Sequence, residues 1–394
     1  MIYNRKLLDE LIPRIKDKEI IVVTGMRRVG KTTLFKMIYD KIETQNKGFF
    51  DLENPLNQKI FEEEDYNNIW ANLKQFGIDN KSRAFIFLDE IQAKPDIIKM
   101  VKYLFDHYDV KFFLTGSSSF YLKNLFPESL SGRKIILELF PLDFEEFLLF
   151  KNHKKKFHEK FKEKEKNKNK IKYEKTKKLY EEYMKFGGFP QVVLAETIEK
   201  KEELLIDIFR SYFEKDVQSL ANFKEINKFR DLLLLLLKRI GTKLDISKLS
   251  SELGVSRETI YSYISFLEKT YFIALISPLT KSIDREVSGT KKVYVCDNGI
   301  AKYIGKCEDG NLLENAVFNN IRKFSDIRYY ERRSGGEIDF ISAENSMALE
   351  VKNKGDEGDY SKLKRIANSL KLKEFYVISK EFADKKGIII ASDV

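Results

Sequence analysis

The stretch Gly25-Met26-Arg27-Arg28-Val29-Gly30-Lys31-Thr32-Thr33 sets two glycines, a lysine and a hydroxyl at the spacing GxxxxGK[ST]. Glycines without side-chain bulk let successive backbone N–H groups wrap phosphate oxygens, and the start of a following helix favours the anion. Lys31 is placed to reach the β- and γ-phosphates of a nucleoside triphosphate, and the Thr32 hydroxyl to ligate Mg²⁺. Arg27 and Arg28 add positive potential to the loop. All nine residues form the candidate nucleotide-binding stretch.

A second site for the same chemistry ends the apolar run "FIFLDE". Ligands of open α/β sheets bind at the carboxyl ends of the strands, where Asp89 and Glu90 emerge. Asp89 is the candidate Mg²⁺ holder, mostly through water, and Glu90 the residue that orients or deprotonates the attacking water. "FFLTGSSS" ends a third run in hydroxyls; Thr115 or Ser117 either senses the γ-phosphate or merely shapes a turn. Arg133, in "LSGRKIILEL", is either an arginine finger, in cis or in trans, or half of a surface ion pair. "NKGD" (Asn353–Asp356) fits a guanine-reading pattern but follows the loop by more than 300 residues. GTP specificity is therefore rejected and ATP expected.

A different cluster lies near the carboxyl end, in "GGEIDFISAENSMALEVKN". Residues two apart on a strand share a face, so Glu350 and Lys352 project together, and Asp339 on a neighbouring strand can meet them. With Glu314 on an earlier helix, this set offers hard oxygen ligands for a divalent metal and an ammonium, Lys352, beside the water it activates. The same residues also suit a plain same-face ion pair. Arg322, Lys323, Arg328, Arg332 and Arg333 nearby are candidate phosphate contacts or a charged solvent face. Between the two clusters, "DISKLSSELGVSRETIYSYISFLEKTYFI" reads as helix, a turn centred on Gly254, and helix. Ser256, Arg257, Thr259 and Ser262 line the start of its second helix, facing DNA or a protein partner.

The elements that must carry these groups follow from periodicity. "EIIVVTG", "GFFDLE", "RAFIFLDE" and "KFFLTGS" are strand-length apolar runs alternating with amphipathic stretches, which predicts a parallel sheet covered on both faces. "ALISPLT" and "KKVYVCD" are expected as wing strands. From Asn311 the pattern reads helix, three strands, helix, strand, with "GIIIAS" closing. At 394 residues the chain has room for roughly two or three domains. Its 43% apolar content excludes a disordered chain. Residues 151–178 hold fourteen lysines against four glutamates, a surplus equal to the whole formal charge of +10. The remainder is neutral, so only a local basic face would argue for nucleic acid. The Lys-rich stretch itself reads as a solvated helical hairpin tip or mobile loop. Cys296 and Cys307 fit no zinc or CxxC spacing and are expected reduced. No apolar run approaches the ~20 residues of a membrane span, and no signal-peptide core opens the chain. A cytoplasmic protein with no membrane partner is the expectation.

The string "TGMRRVGKTTL … FIFLDEIQ … FFLTGSSS … LSGRKIILELFPLDFEEF … GGFP" resembles a prokaryotic group of AAA+-like P-loop ATPases with a C-terminal domain of unknown function, combining a winged helix with a restriction-endonuclease-like fold. The helix-and-strand order around Glu314, Asp339 and Glu350-x-Lys352 is similar to the PD-(D/E)xK nuclease core. The resemblance implies an α/β chain with a P-loop ATPase core at 1–148 and a helical lid at 149–224; the Lys-rich stretch 151–178 departs from the family's pattern and looks like an insertion into the lid helices. A winged helix-turn-helix at 225–305 and a nuclease-like α/β domain at 306–394 follow. It implies ATP and Mg²⁺ as cofactors, DNA as a partner and self-association through Arg133. The function expected is an ATPase coupled to DNA binding, with metal-dependent nuclease chemistry in the last domain. The alternative is an ATP-gated switch whose last domain is an inactive interaction module.

Overall fold

The computed structural model describes residues 3–117, 132–155, 157–218, 225–280, 289–324, 326–332 and 335–394. Arg333 and Lys156 lie outside the described residues. The chain divides into two compact units: 1–140 with 269–271, and 141–268 with 272–394.

The first unit is built on five parallel strands, β1 (Ile20–Thr24), β2 (Lys47–Asp51), β3 (Ala84–Asp89), β4 (Val110–Gly116) and β5 (Lys134–Glu138), in the spatial order β2-β3-β4-β1-β5. β1 is "IIVVT", wholly β-branched and buried at every position, as a strand covered on both faces requires. Alternate residues serve the two layers. Ile20, Val22, Ile86, Leu88, Phe112 and Leu114 pack with the helices Ile69–Lys74 and Ile97–His107. On the other face Phe87 stacks on Phe113 at 4.3 Å, and Phe35 of the helix Lys31–Lys41 meets both rings edge-on.

The second unit carries the segments that the sequence divides into lid, helix-turn-helix and final domain. Its sheet has seven strands, β6 (Ile273–Pro278), β7 (Lys292–Val295), β8 (Ile327–Glu331), β9 (Glu337–Ser342), β10 (Met347–Lys352), β11 (Glu374–Ser379) and β12 (Ile388–Ile390), ordered β12-β11-β10-β9-β8-β6-β7. β8, β9 and β10 form an antiparallel meander. The helix Glu357–Ser369 then crosses over to β11, parallel to β10. Asp356, from the guanine-like tetrad, caps that helix in a reciprocal capping box with Asp359. The expected wing strands pair antiparallel with each other, but β6 also pairs in parallel with β8 at Ser277 and Pro278. They extend the C-terminal sheet instead of standing apart from it, because β6 runs on past the end of β7.

The Lys-rich stretch departs from its expectation. It forms the helices Phe161–Lys166 and Lys170–Phe186, and it is docked. Phe161 is buried against Phe324 and Tyr376. Lys155 reaches the Ser392 carbonyl at 2.8 Å and the Asp393 carboxylate at 2.6 Å, while Lys164 donates to the Asp393 carbonyl at 2.6 Å. Composition alone hides this, since buried and exposed lysines read identically.

A buried polar knot fixes the helices to the sheet. Asp297 accepts N–H bonds from Gly188 at 2.6 Å, Gly299 at 2.8 Å and Ile300 at 3.2 Å. Gly187 (φ 75°) lies so close that a Cβ would sit 2.1 Å from an Asp297 oxygen, so only glycine fits. Asn315 exchanges bonds with both backbone groups of Val295 and donates to Asn298 at 2.8 Å. Burial pushes the Asp297 carboxyl up to about 6, against the three N–H donors. Its folded value exceeds the ordinary 3.8, so its contribution is full below pH 3.8 and disappears as pH rises to about 6. We expect the stability difference between wild type and Asp297→Asn, measured by urea unfolding, to shift against the wild type by on the order of 3 kcal/mol from pH 4 to pH 7. A difference flat across that range would contradict the assignment.

Candidate functional site

The P-loop leaves β1 and enters the helix Lys31–Lys41 through two backbone positions that need glycine. Gly25 has φ 149° and approaches the Leu139 carbonyl so closely that a Cβ would lie 2.0 Å from its oxygen. Gly30, at φ 101°, is the left-handed residue immediately before the helix. The Lys31 ammonium is buried within the loop, donating to the Gly25 and Met26 carbonyls at 2.9 and 2.8 Å. Arg27 pairs with Glu53 at 3.2 Å, Arg28 adopts φ 65°, and Thr33 follows Thr32 in the first helical turn. Arg5, which the sequence analysis missed, supports the loop from beneath: its buried guanidinium donates to the Val29 carbonyl at 2.7 Å and the Phe140 carbonyl at 2.8 Å. No local motif marks such a residue, since its partners are backbone atoms distant in sequence.

Strand order assembles the rest. β4 lies between β1 and β3, in register Val23 with Thr115 and Leu88 with Leu114. The Thr115 hydroxyl therefore emerges between the loop and Asp89. Thr32 Oγ1 donates to Asp89 Oδ2 at 2.7 Å, and Thr115 Oγ1 donates to Asp89 Oδ1. Burial holds the Asp89 carboxyl above its ordinary range, opposed by the hydrogen bonds of Thr115 and Thr32. Glu90 sits in a left-handed backbone at φ 56°, an uncommon conformation for such a residue and one concentrated at functional sites. Its N–H bonds Thr115 Oγ1 at 2.9 Å, and its carboxylate accepts from the Gln92 amide, which also donates to Ser117 Oγ at 3.0 Å. Thr115 and Ser117 thus both join the site, and Gln92 is an addition that the "DEIQ" string held unread. A hydroxyl beside a carboxylate is a hard-oxygen pair, which fits Mg²⁺.

Arg133 lies elsewhere. Its carbonyl accepts the Ile20 N–H at 2.8 Å, at the amino end of β1, whereas the loop leaves the carboxyl end of that strand. Five strand residues separate the two levels, about 15 Å, and the guanidinium pairs with Asp106 at 2.9 Å. The cis reading is corrected: Arg133 does not reach its own loop.

In the second unit Glu314 and Asp339 meet at a residue the sequence analysis overlooked, while Glu350 pairs with Lys352 beside Asp339. The buried Lys292 ammonium of β7 lies 2.5 Å from Glu337, 3.7 Å from Glu314 and 3.9 Å from Asp339. Tyr294 donates to Glu314 at 2.6 Å, the Val351 N–H to Asp339 at 2.8 Å, and Lys352 to Glu350 at 2.7 Å. Burial and the Asp339 charge push Glu314 and Glu350 each up to about 7. Burial also raises Asp339. For Lys292 burial opposes the charge, yet Glu314, Asp339 and Glu337 outweigh it and raise the ammonium. Glu350 Oε2 is buried without a hydrogen-bond partner among the described residues. Among those residues no group of three or more His, Cys, Asp or Glu is arranged to hold a metal ion. The Lys292 ammonium supplies a counter-charge to Glu314 and Asp339, and the Lys352 ammonium one to Glu350. Among the described residues no helix is long and apolar enough to cross a membrane.

Known proteins bear on both units. Residues 17–148 match a family model described as an AAA domain, and residues 177–310 match a domain of unknown function (DUF8612). The uncharacterized protein MJ1544 of Methanocaldococcus jannaschii is 32% identical over 367 residues, spanning 89% of this chain and 77% of its own length. An uncharacterized protein of Haemophilus influenzae is 27% identical over 365 residues, spanning 89% of this chain and 86% of its own. Among solved structures, the ADP form of the Aeropyrum pernix ORC2 protein aligns over 76% of this chain and 90% of its own at 13% identity, with a TM-score of 0.36.

Removing the Lys292 charge leaves buried carboxylates facing one another. Lys292→Met is expected to lose about 3 kcal/mol of stability at pH 8, and distinctly less at pH 5, where Glu314 and Glu350 take up protons. Unfolding midpoints at the two pH values measure this; equal losses would deny the ammonium its role.

Proposed function

The chain belongs to the same family as MJ1544 of Methanocaldococcus jannaschii and carries an AAA domain at residues 17–148, and from that premise we propose that it binds and hydrolyses ATP with Mg²⁺. The single observation that carries this reading is the Asp89 carboxylate, bonded by Thr32 of the P-loop on one side and Thr115 of β4 on the other.

The proposed roles follow from the geometry. Backbone N–H groups of residues 25 to 33 bind the phosphates at the helix start. Lys31 exchanges its bonds to the Gly25 and Met26 carbonyls for the β- and γ-phosphate oxygens. Thr32 and Asp89 hold Mg²⁺, which when bound offsets the charge on those oxygens. Glu90 orients the attacking water and accepts its proton, with Gln92 fixing one carboxylate oxygen and Thr115 fixing the backbone beneath. Any arginine-finger role of Arg133, which pairs with Asp106 in its own chain, is in trans.

The second unit is the proposed DNA-binding part. The helices Ile246–Leu253 and Arg257–Lys269 are joined by a turn at Gly254 (φ 66°). Ser256, Arg257 and Ser262 stand exposed at the start of the second helix, with Thr259 half-buried beside them, positioned for phosphates or base edges. ATP turnover in the first unit governs that contact. For the acidic cluster the observation of Lys292 favours the second reading, a catalytically inactive interaction module. Plasmid DNA incubated with Mg²⁺ or Mn²⁺ is expected to stay intact; cleavage abolished by Asp339→Ala would restore the nuclease reading.

Lys31→Ala is expected to lower affinity for a fluorescent ATP analogue at least tenfold, and Glu90→Gln to bind it normally while releasing phosphate at least a hundredfold more slowly. Undiminished affinity and turnover in Lys31→Ala would remove the ATPase reading.

A further inference from the structure

The whole formal charge of the chain resides in residues 151–178, and the structure shows that this charge is mounted on an ordered support. Within one stretch of the helix Lys170–Phe186, Tyr173, Thr176 and Tyr180 are buried while Lys170, Lys172, Lys175, Lys177 and Lys178 are exposed. Glu174 is the one exposed acid among residues 170–178. The Asn169 side chain caps the helix through the Lys172 N–H at 2.9 Å, and Tyr173 packs on Phe382 with ring centroids 5.8 Å apart. Lys172, Lys175 and Lys178 recur every three residues, so neighbours on one surface carry like charge. That arrangement destabilises a helix by roughly 0.2–0.5 kcal/mol per pair. A surface serving only solubility mixes both signs.

We infer that the outward face of this helix is a docking platform for the phosphodiester backbone of duplex DNA. Five ammonium groups over nine residues span about 12 Å of helix, and a duplex presents one negative charge per roughly 1.7 Å of its axis. Contacts of this kind position a protein without reading sequence, and a lysine supplies them as a flexible point charge. A protein partner is less well matched, because a stable interface needs an apolar centre and the only large apolar residue exposed on this stretch is Ile171. An anionic membrane is less well matched too, since an interfacial helix spends its Trp, Phe and Leu on lipid, whereas here the aromatic side is packed inward.

The inference rests on the DNA-binding part of the proposed function, and the test separates the two. Binding of a fluorescent 20-base-pair duplex to the full chain is measured by anisotropy between 50 and 200 mM salt. Lys172→Gln/Lys175→Gln/Lys178→Gln, which keeps helix propensity, is compared with wild type and with Arg257→Gln; unchanged circular dichroism and ATP-analogue affinity show that each variant is folded. The triple variant is expected to lose at least tenfold in affinity at 50 mM salt and to lower the slope of log affinity against log salt by about 2 to 3. A triple variant that binds like wild type, while Arg257→Gln does not, overturns the platform and leaves the DNA reading standing. No wild-type binding at 50 mM salt overturns both, and so does binding to phosphatidylserine vesicles without binding to the duplex.

Discussion

One carboxylate sets the geometry of the first unit. Asp89 ends β3 and is claimed from two sides, by a hydroxyl of the P-loop and a hydroxyl of β4. This is possible only because β4 is inserted between β1 and β3. Were the two strands adjacent, Thr115 would have no place between them and Glu90 would lose the acceptor of its N–H. The left-handed turn at Glu90 is held by that bond and by the buried Ile91 behind it. Local strain of this kind persists where the surroundings over-determine it.

The second unit solves a different problem, the burial of charge. Its helices and sheet meet through Asp297, Asn298 and Asn315, whose polar atoms are almost all spent on backbone groups. Beside this knot lies the Lys292 cluster, where one ammonium answers three carboxylates at unequal distances. The two arrangements share strand β7 and the helix Asp309–Ile321, so the packing that orients Asn315 also orients Glu314, one residue before it. A buried charge left alone is far more damaging than a well-packed apolar substitute, which makes these positions intolerant of single changes.

The P-loop, the strand ending in Asp89 and Glu90, and the helix-strand order after Asn311 were legible because each is a local pattern: glycine spacing, apolar run length, and alternation. What stayed hidden depends on pairing across long sequence distances. Arg133 reads as a finger from its place before a strand, but only register shows that the strand begins at the far end from the loop. Lys292 looks like any polar residue at a strand start; its burial follows from which strands become neighbours. Arg5 and Gln92 act through backbone carbonyls and a two-residue reach, neither of which leaves a motif. The lysines of residues 151–178 misled for the opposite reason, since composition suggested a solvated segment while Phe161 and Tyr173 among them supplied an apolar anchor.

That anchor has a consequence for the border of the second sheet. β12 is three residues long and forms one border of the seven-stranded sheet, where unsatisfied backbone groups invite another chain to add a strand. The helix Phe161–Lys166 packs on β12, and Glu165 takes the Gly387 N–H at 2.7 Å. The segment richest in charge therefore also covers one border of the sheet, so a shortened chain lacking it would be prone to self-association through edge pairing, whatever became of its affinity for nucleic acid.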